Sequence, residues 1–96
     1  IKDYIEQHYT EESLSLTVLS EHFSISEYYL CVIFKKTFDI TINQYIINLR
    51  MSKAKQYLVE SNRKIKEISE LVGYRDCNYF IRLFKKTYHI TPSDFR

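Results

Sequence analysis

Two matched stretches hold the side chains best equipped to recognise a partner. Residues 29–41 read Tyr-Leu-Cys-Val-Ile-Phe-Lys-Lys-Thr-Phe-Asp-Ile-Thr, and residues 79–91 read Tyr-Phe-Ile-Arg-Leu-Phe-Lys-Lys-Thr-Tyr-His-Ile-Thr; seven of the thirteen positions are identical at an offset of 50. Both copies carry a lysine pair, Lys35-Lys36 and Lys85-Lys86. Placed on a helix, each copy has an apolar face and an opposite, open one. The open face holds Glu27, Tyr28, Cys31, Val32 and Lys35 in the first copy, and Cys77, Asn78, Ile81, Arg82 and Lys85 in the second. Arginine presents a rigid planar fork of donors, asparagine a donor beside an acceptor, and lysine a compact positive charge. Such groups grip and discriminate; they do not by themselves break bonds.

Catalysis has no comparable support. With one glycine there is no Gly-rich phosphate loop, and no nucleophile elbow, His-Glu-x-x-His or paired-cysteine motif occurs. His8, His22 and His89 lack ligand spacing, and Cys31 and Cys77 lie 46 residues apart, which fits neither a metal site nor a disulfide framework. The expectation is a non-enzyme with no metal and no cofactor, its thiols reduced as in a cytoplasmic protein. Charge is unevenly spread. Residues 1–49 carry three basic and seven acidic side chains, a net of −4, whereas residues 50–96 carry eleven basic and five acidic, a net of +6. That polarity points to an anionic partner near the second half. No apolar run approaches the roughly 18 residues of a membrane span, so no membrane partner is expected. No signal peptide is visible, and the start at Ile1 suggests a piece of a longer protein.

The elements that must position these residues are helices. One glycine and one proline in 96 residues cannot supply the tight turns of an all-β fold, and 45% hydrophobic residues argue against disorder. Upstream of each copy a second block matches at an offset of 49: Leu16, Leu19, Ser20, Glu21 and Phe23 fall on Ile65, Ile68, Ser69, Glu70 and Val72. The second copy thus has one extra residue between its blocks. In the first copy Ser15 caps a helix, Ser24-Ile25-Ser26 makes a turn, and a second helix runs over about 27–37. In the second, Gly73 takes the post-helix position that needs positive φ, and Asp76 caps a helix over about 77–87. Tyr29, Leu30, Ile33 and Phe34, with Tyr79, Phe80, Leu83 and Phe84, are expected to face inward. Two helices joined by about three residues, the second basic and open, describe a helix-turn-helix.

Between the copies Thr41-x-x-Gln44 reads as a capping box opening a long helix to about Asn62. Its roughly 22 residues make a rod of about 33 Å, close to the ~34 Å after which a major groove recurs on one face of DNA. Ile42, Tyr45, Ile46 and Leu49 suit the first unit, and Ile47, Met51, Ala54 and Leu58 the second. Residues 1–9 form one more amphipathic helix, and Pro92 opens a last one in which Phe95 matches Tyr45. The predicted fold is all-α, about seven helices: a first helix-turn-helix unit over 1–46, a linker helix over 41–62 and a second unit over 63–96.

These residues resemble the AraC/XylS family of bacterial transcription regulators. The resemblance is strongest in Ile65-Lys66-Glu67-Ile68-Ser69-Glu70-Leu71-Val72-Gly73-Tyr74, in Tyr79-Phe80-Ile81-Arg82-Leu83-Phe84-Lys85-Lys86, in Thr91-Pro92-Ser93-Asp94-Phe95-Arg96, and in the linker pattern Leu49-Arg50-Met51-x-x-Ala54-Lys55-x-x-Leu58. It covers nearly the whole chain. It implies sequence-specific binding of double-stranded DNA in transcription regulation, commonly as an activator, with contact to RNA polymerase. It also implies an N-terminal effector-binding, dimerising or receiver domain outside this chain. Carried over by motif, the base-reading positions are Tyr28, Cys31 and Val32 in the first unit and Asn78, Ile81 and Arg82 in the second. Arg82 suits guanine O6 and N7, and Asn78 suits adenine.

The departures bear on function. Family members often have arginine where this chain has Val32, so the first unit either touches a thymine methyl or mainly grips phosphates. Phosphate contacts are expected from Lys35, Lys36, Lys85 and Lys86. Lys64 and Lys66 stand at a helix start that disfavours cations; either a DNA phosphate there offsets the penalty, or the two are a tolerated, solvated pair. Glu27 is expected to cap its own helix, and Arg50 to hold an acidic or carbonyl partner. Asp39 and His89 replace the usual glycine after each second helix. A helical protein-interaction module is the alternative reading, but it leaves the duplicated Phe-Lys-Lys and Arg82 without a purpose.

Overall fold

The computed structural model describes all 96 residues and contains seven helices and no strand: α1 (Lys2–His8), α2 (Leu16–Phe23), α3 (Glu27–Phe38), α4 (Ile42–Glu60), α5 (Ile65–Leu71), α6 (Cys77–Tyr88) and α7 (Pro92–Phe95). Local chemistry sets most of the boundaries. Ser15 accepts from the Val18 N–H, Ser26 from Tyr29, Thr41 from Gln44, Asp76 from Tyr79 and Thr91 from Asp94, each relieving one of the free donors at a helix start. At Thr41 only half of the expected capping box forms: the Gln44 N–H donates to Thr41 Oγ1, but the Gln44 side chain is turned along the helix, its Nε2 donating to Asn48 Oδ1, and its oxygen does not accept from the Thr41 N–H. The long helix also stops two residues early. Ser61 leaves helical geometry and bonds back to the Tyr57 carbonyl, so α4 has 19 residues and a length of about 28 Å at 1.5 Å per residue.

α2 and α5 end in the same motif. In α5, the Tyr74 N–H reaches the Ser69 carbonyl and the Gly73 N–H reaches Glu70; in α2, Ile25 reaches Ser20 and Ser24 reaches Glu21. This pattern requires a left-handed residue, supplied by Gly73 (φ 108°) in one unit and Ser24 (φ 56°) in the other. α3 and α6 end likewise on Asp39 (φ 57°) and His89 (φ 64°), two of the side-chain types that tolerate this region best.

Two clusters of apolar side chains form, and α4 serves both. Ile5, Leu14, Leu19, Leu30, Phe34, Ile42 and Ile46 make one, with Tyr45 and Leu49 against it. Met51, Ala54, Leu58, Ile68, Val72, Tyr74, Phe80 and Phe84 make the other, with Ile47 and Phe95 against it. Burying a phenylalanine fully stabilises by about 1.5–3 kcal/mol, and Phe34, Phe80 and Phe84 are all at this limit. Half of the residues expected inward are not buried. Tyr29, Ile33 and Tyr79 are 56%, 36% and 43% exposed, and Leu83 is half-buried. Each lies at the edge of its helix stripe, where the neighbouring helices cover it only in part. No helix is long and apolar enough to cross a membrane.

Candidate nucleic-acid interface

The open faces of α3 and α6 differ in chemistry. On α6, Asn78, Arg82, Lys85 and Lys86 are exposed. Phe80 and Phe84 pin the opposite side, and the Tyr79 N–H bonded to Asp76 fixes the helix start. Arg82 places its guanidinium 5.9 Å from the Tyr79 ring. Ile81 departs from a free reading position: it is half-buried and packs on the second cluster, leaving only an edge to a partner. On α3, Tyr28 is 81% and Val32 47% exposed, Cys31 is exposed beside them, and Lys35 and Lys36 lie open in the last turn. Apart from the lysine pair in the last turn of each, the open face of α3 is therefore centred on Tyr28, Cys31 and Val32, with little hydrogen-bonding capacity, and that of α6 on polar Asn78 and cationic Arg82.

Glu27 does not cap α3. Ser26 does so, and Glu27 accepts a bond from the Thr17 hydroxyl at 3.3 Å, tying α2 to α3. At the start of α5, Lys64 cannot accept a bond as a cap would, but Glu67 Oε1 accepts from the Lys64 N–H at 3.3 Å and Glu67 pairs with Arg63 at 3.9 Å. A carboxylate in the first turn thus offsets part of the unfavourable end charge of Lys64 and Lys66, both exposed. The fold supplies an answer to the cation problem that does not need a phosphate.

The five arginines divide sharply. Arg50 is 6% exposed and donates from Nε to the Tyr9 carbonyl (2.6 Å) and from Nη2 to Glu11 (2.9 Å), the carbonyl partners its helix position implies. Arg96 donates to the carbonyls of Leu58, Ser61 and Arg63 and so satisfies the end of α4 and the turn after it. Sequence reasoning missed this role, although an arginine just after a short capped helix is the only available signal. Arg63 pairs with Glu67, and Arg75 with Glu12 at 3.3 Å. Arg82 alone has no hydrogen-bonded or ion-paired partner in the protein. Burial raises the pKa of Tyr74 against an opposing pull from Arg50, and burial also raises that of Tyr88. No group of three or more His, Cys, Asp or Glu side chains is arranged to hold a metal ion.

A helix-turn-helix domain family matches residues 19–96. The chain is 40% identical over 96 residues to the bifunctional transcriptional activator/DNA repair enzyme AdaA of Bacillus subtilis, covering all of this chain and 45% of AdaA. It is 38% identical over 96 residues to the HTH-type transcriptional regulator YijO of Escherichia coli, covering all of this chain and 34% of YijO. Among solved structures, the C-terminal domain of the two-component response regulator yesN from Fusobacterium nucleatum matches with a TM-score of 0.97 and 45% identity, over 99% of this chain and 92% of that one. Fold, capped helix pairs and family match agree: the chain belongs to the AraC/XylS family and is a DNA-binding domain of the kind that regulates transcription. It spans less than half the length of the two curated relatives.

Proposed function

We propose that α3 and α6 enter successive major grooves on one face of double-stranded DNA, with the second unit as the discriminating one. The observation that carries this reading is the free guanidinium of Arg82. Every other arginine is committed to a carbonyl or carboxylate, while Arg82 stands exposed with all its donors unspent, one helical turn from Asn78. In a major groove that pair can read guanine and adenine, and the edge of Ile81 can meet a thymine methyl. The first unit offers Tyr28, Cys31 and Val32, which support apolar contact to thymine methyls but no strong hydrogen-bonded reading. Lys35, Lys36, Lys85 and Lys86 take phosphates, with Lys64 and Lys66 as a further pair.

The domain acts by binding and has no catalytic role; any activity of a longer protein belongs to segments outside this chain. A relative named as a transcriptional activator supports a role in activation, for which contact with RNA polymerase is the proposed route, and one named as a two-component response regulator supports control by a further domain, effector-binding, dimerising or receiver, outside this chain. A DNA target places this work in the bacterial cytoplasm. Selection of bound duplexes from a random pool, followed by a salt titration, tests the reading. It should yield two half-sites and, with six lysines on phosphates, a slope of log K against log salt of about −5. A protein-interaction bundle instead shows no enriched sequence and no steep salt response.

A further inference from the structure

We propose that Arg50 is the positioning residue that sets the register between the two recognition helices, so that the domain accepts two half-sites at one spacing only. The inference rests on the reading that α3 and α6 both engage DNA. A helix joining two bodies orients them only as well as each body packs on it, and here a second connection runs beside α4. The Arg50 guanidinium, held at 6% exposure, grips the α1–α2 loop of the first unit through the Tyr9 and Glu11 carbonyls at 2.6 and 2.9 Å. Its other side lies 4.8 Å from the Tyr74 ring of the second unit. Tyr74 in turn meets α6, with its ring 5.8 Å from that of Tyr79 and 6.2 Å from that of Phe80, and Tyr79 underlies Arg82. A continuous series of contacts therefore leads from the first unit's loop to the base-reading arginine.

Gly73 leaves room for this grip. A Cβ there would stand 3.0 Å from Arg50 Nε, 3.1 Å from its Cζ and 3.1 Å from the Thr10 carbonyl oxygen, which brings both units against one α-carbon. The next exposed layer repeats the link, since Arg75, the residue by which the second turn exceeds the first, pairs with Glu12 at 3.3 Å. That outer pair is solvent-exposed and adds little alone; the buried fork is what holds the angle. Lysine keeps the charge of Arg50 but cannot make the forked contact to two carbonyls while lying on a ring.

The test measures affinity of the chain for duplexes carrying both selected half-sites at the natural spacing, the same duplex with one base pair inserted or removed, and each half-site alone. For the unaltered chain a one-pair change should weaken binding by about tenfold or more, because it removes simultaneous engagement of both helices. Arg50→Lys and Arg50→Met should cut that penalty to about threefold or less while leaving single half-site binding within about twofold. Tyr74→Leu keeps the bonds to the loop and removes the ring, and it carries the same expectation should an Arg50 variant not fold. Arg96→Met, which deletes the carbonyl-bound arginine at the far end of α4, should retain the full penalty. Variants as sensitive to spacing as the unaltered chain, or losing single half-site binding in step, overturn the proposal alone. An unaltered chain indifferent to spacing overturns the two-helix reading and this proposal with it.

Discussion

Ser24 and Gly73 hold the same place in the same helix-ending motif, yet only Gly73 is buried against a guanidinium. The difference runs through both units. They share capped helices, left-handed stops and the Phe-Lys-Lys run, so their backbones obey one plan. They diverge in what each buries and shows. The second unit packs Tyr74, Phe80 and Phe84 inside and presents Asn78 and Arg82 outside. The first closes its core with Ile5 and Leu14 from beyond the repeat and leaves Tyr28, Tyr29 and Val32 in the open. The two copies share their backbone physics and differ in the side chains that their open faces present.

The largest effect should come from the cores. Phe84→Ala should cost about 3–5 kcal/mol in chemical denaturation, and Phe34→Ala a similar amount, since both rings are fully buried. A much smaller loss at Phe34 would show the first unit to be loosely packed. The reading faces come next. Arg82→Ala should weaken specific binding by about 1–3 kcal/mol and relax choice at one base pair, whereas Val32→Ala should change discrimination little. Unchanged specificity after Arg82→Ala removes the asymmetry between the units.

The helix stops follow. Gly73→Ala places a side chain at φ 108° against Arg50 and should cost about 1–2 kcal/mol or more, while Ser24→Gly, where the same motif is exposed, should be neutral or raise the melting temperature. The helix starts are finer still. Ser15→Ala should lose about 1 kcal/mol, and Lys64→Ser should gain a comparable cap. Lys64→Ala separates stability from binding, because a lost phosphate contact lowers the salt slope of binding by about one.

The smallest effect is in alkaline solution. Burial first, and then the bond to Glu6 at 2.7 Å, push Tyr45 from 10.0 to about 12. A raised pKa in the folded state means that the neutral phenol stabilises the fold fully below pH 10 and that this contribution disappears as pH rises through about 12. Phe95 occupies the equivalent place in the second unit, so Tyr45→Phe should abolish that part of the alkaline loss, read from melting temperatures across pH 9 to 12.

Much of this architecture was legible in the residues. Ser15, Ser26, Asp76 and Thr91 act within four residues of themselves, and the apolar stripes of α4 divide between the clusters as their spacing implies. The errors have a common form. Tyr29, Ile33 and Tyr79 sit at the edges of apolar stripes, and whether an edge is covered depends on a neighbouring helix that periodicity does not describe. Ile81 errs the other way, being drawn onto the core from the open face. Gln44 and Glu27 have caps within reach and chose other partners, Asn48 and Thr17.

What the sequence determined by itself was therefore most of what local chemistry settles: the seven helices, the caps at Ser15, Asp76 and Thr91, the left-handed stops at Asp39, Gly73 and His89, and a repeated unit. Which arginine is left without a partner in the protein was decided by the tertiary structure. Arg50, Arg75 and Arg96 find their partners 39 to 41, 63, and 33 to 38 residues away, and only the packed fold brings a loop carbonyl, a carboxylate or a helix end to meet them. Charge is written in the chain, but its availability depends on long-range contacts, which leave Arg82 as the one arginine with no hydrogen-bonded or ion-paired partner in the protein.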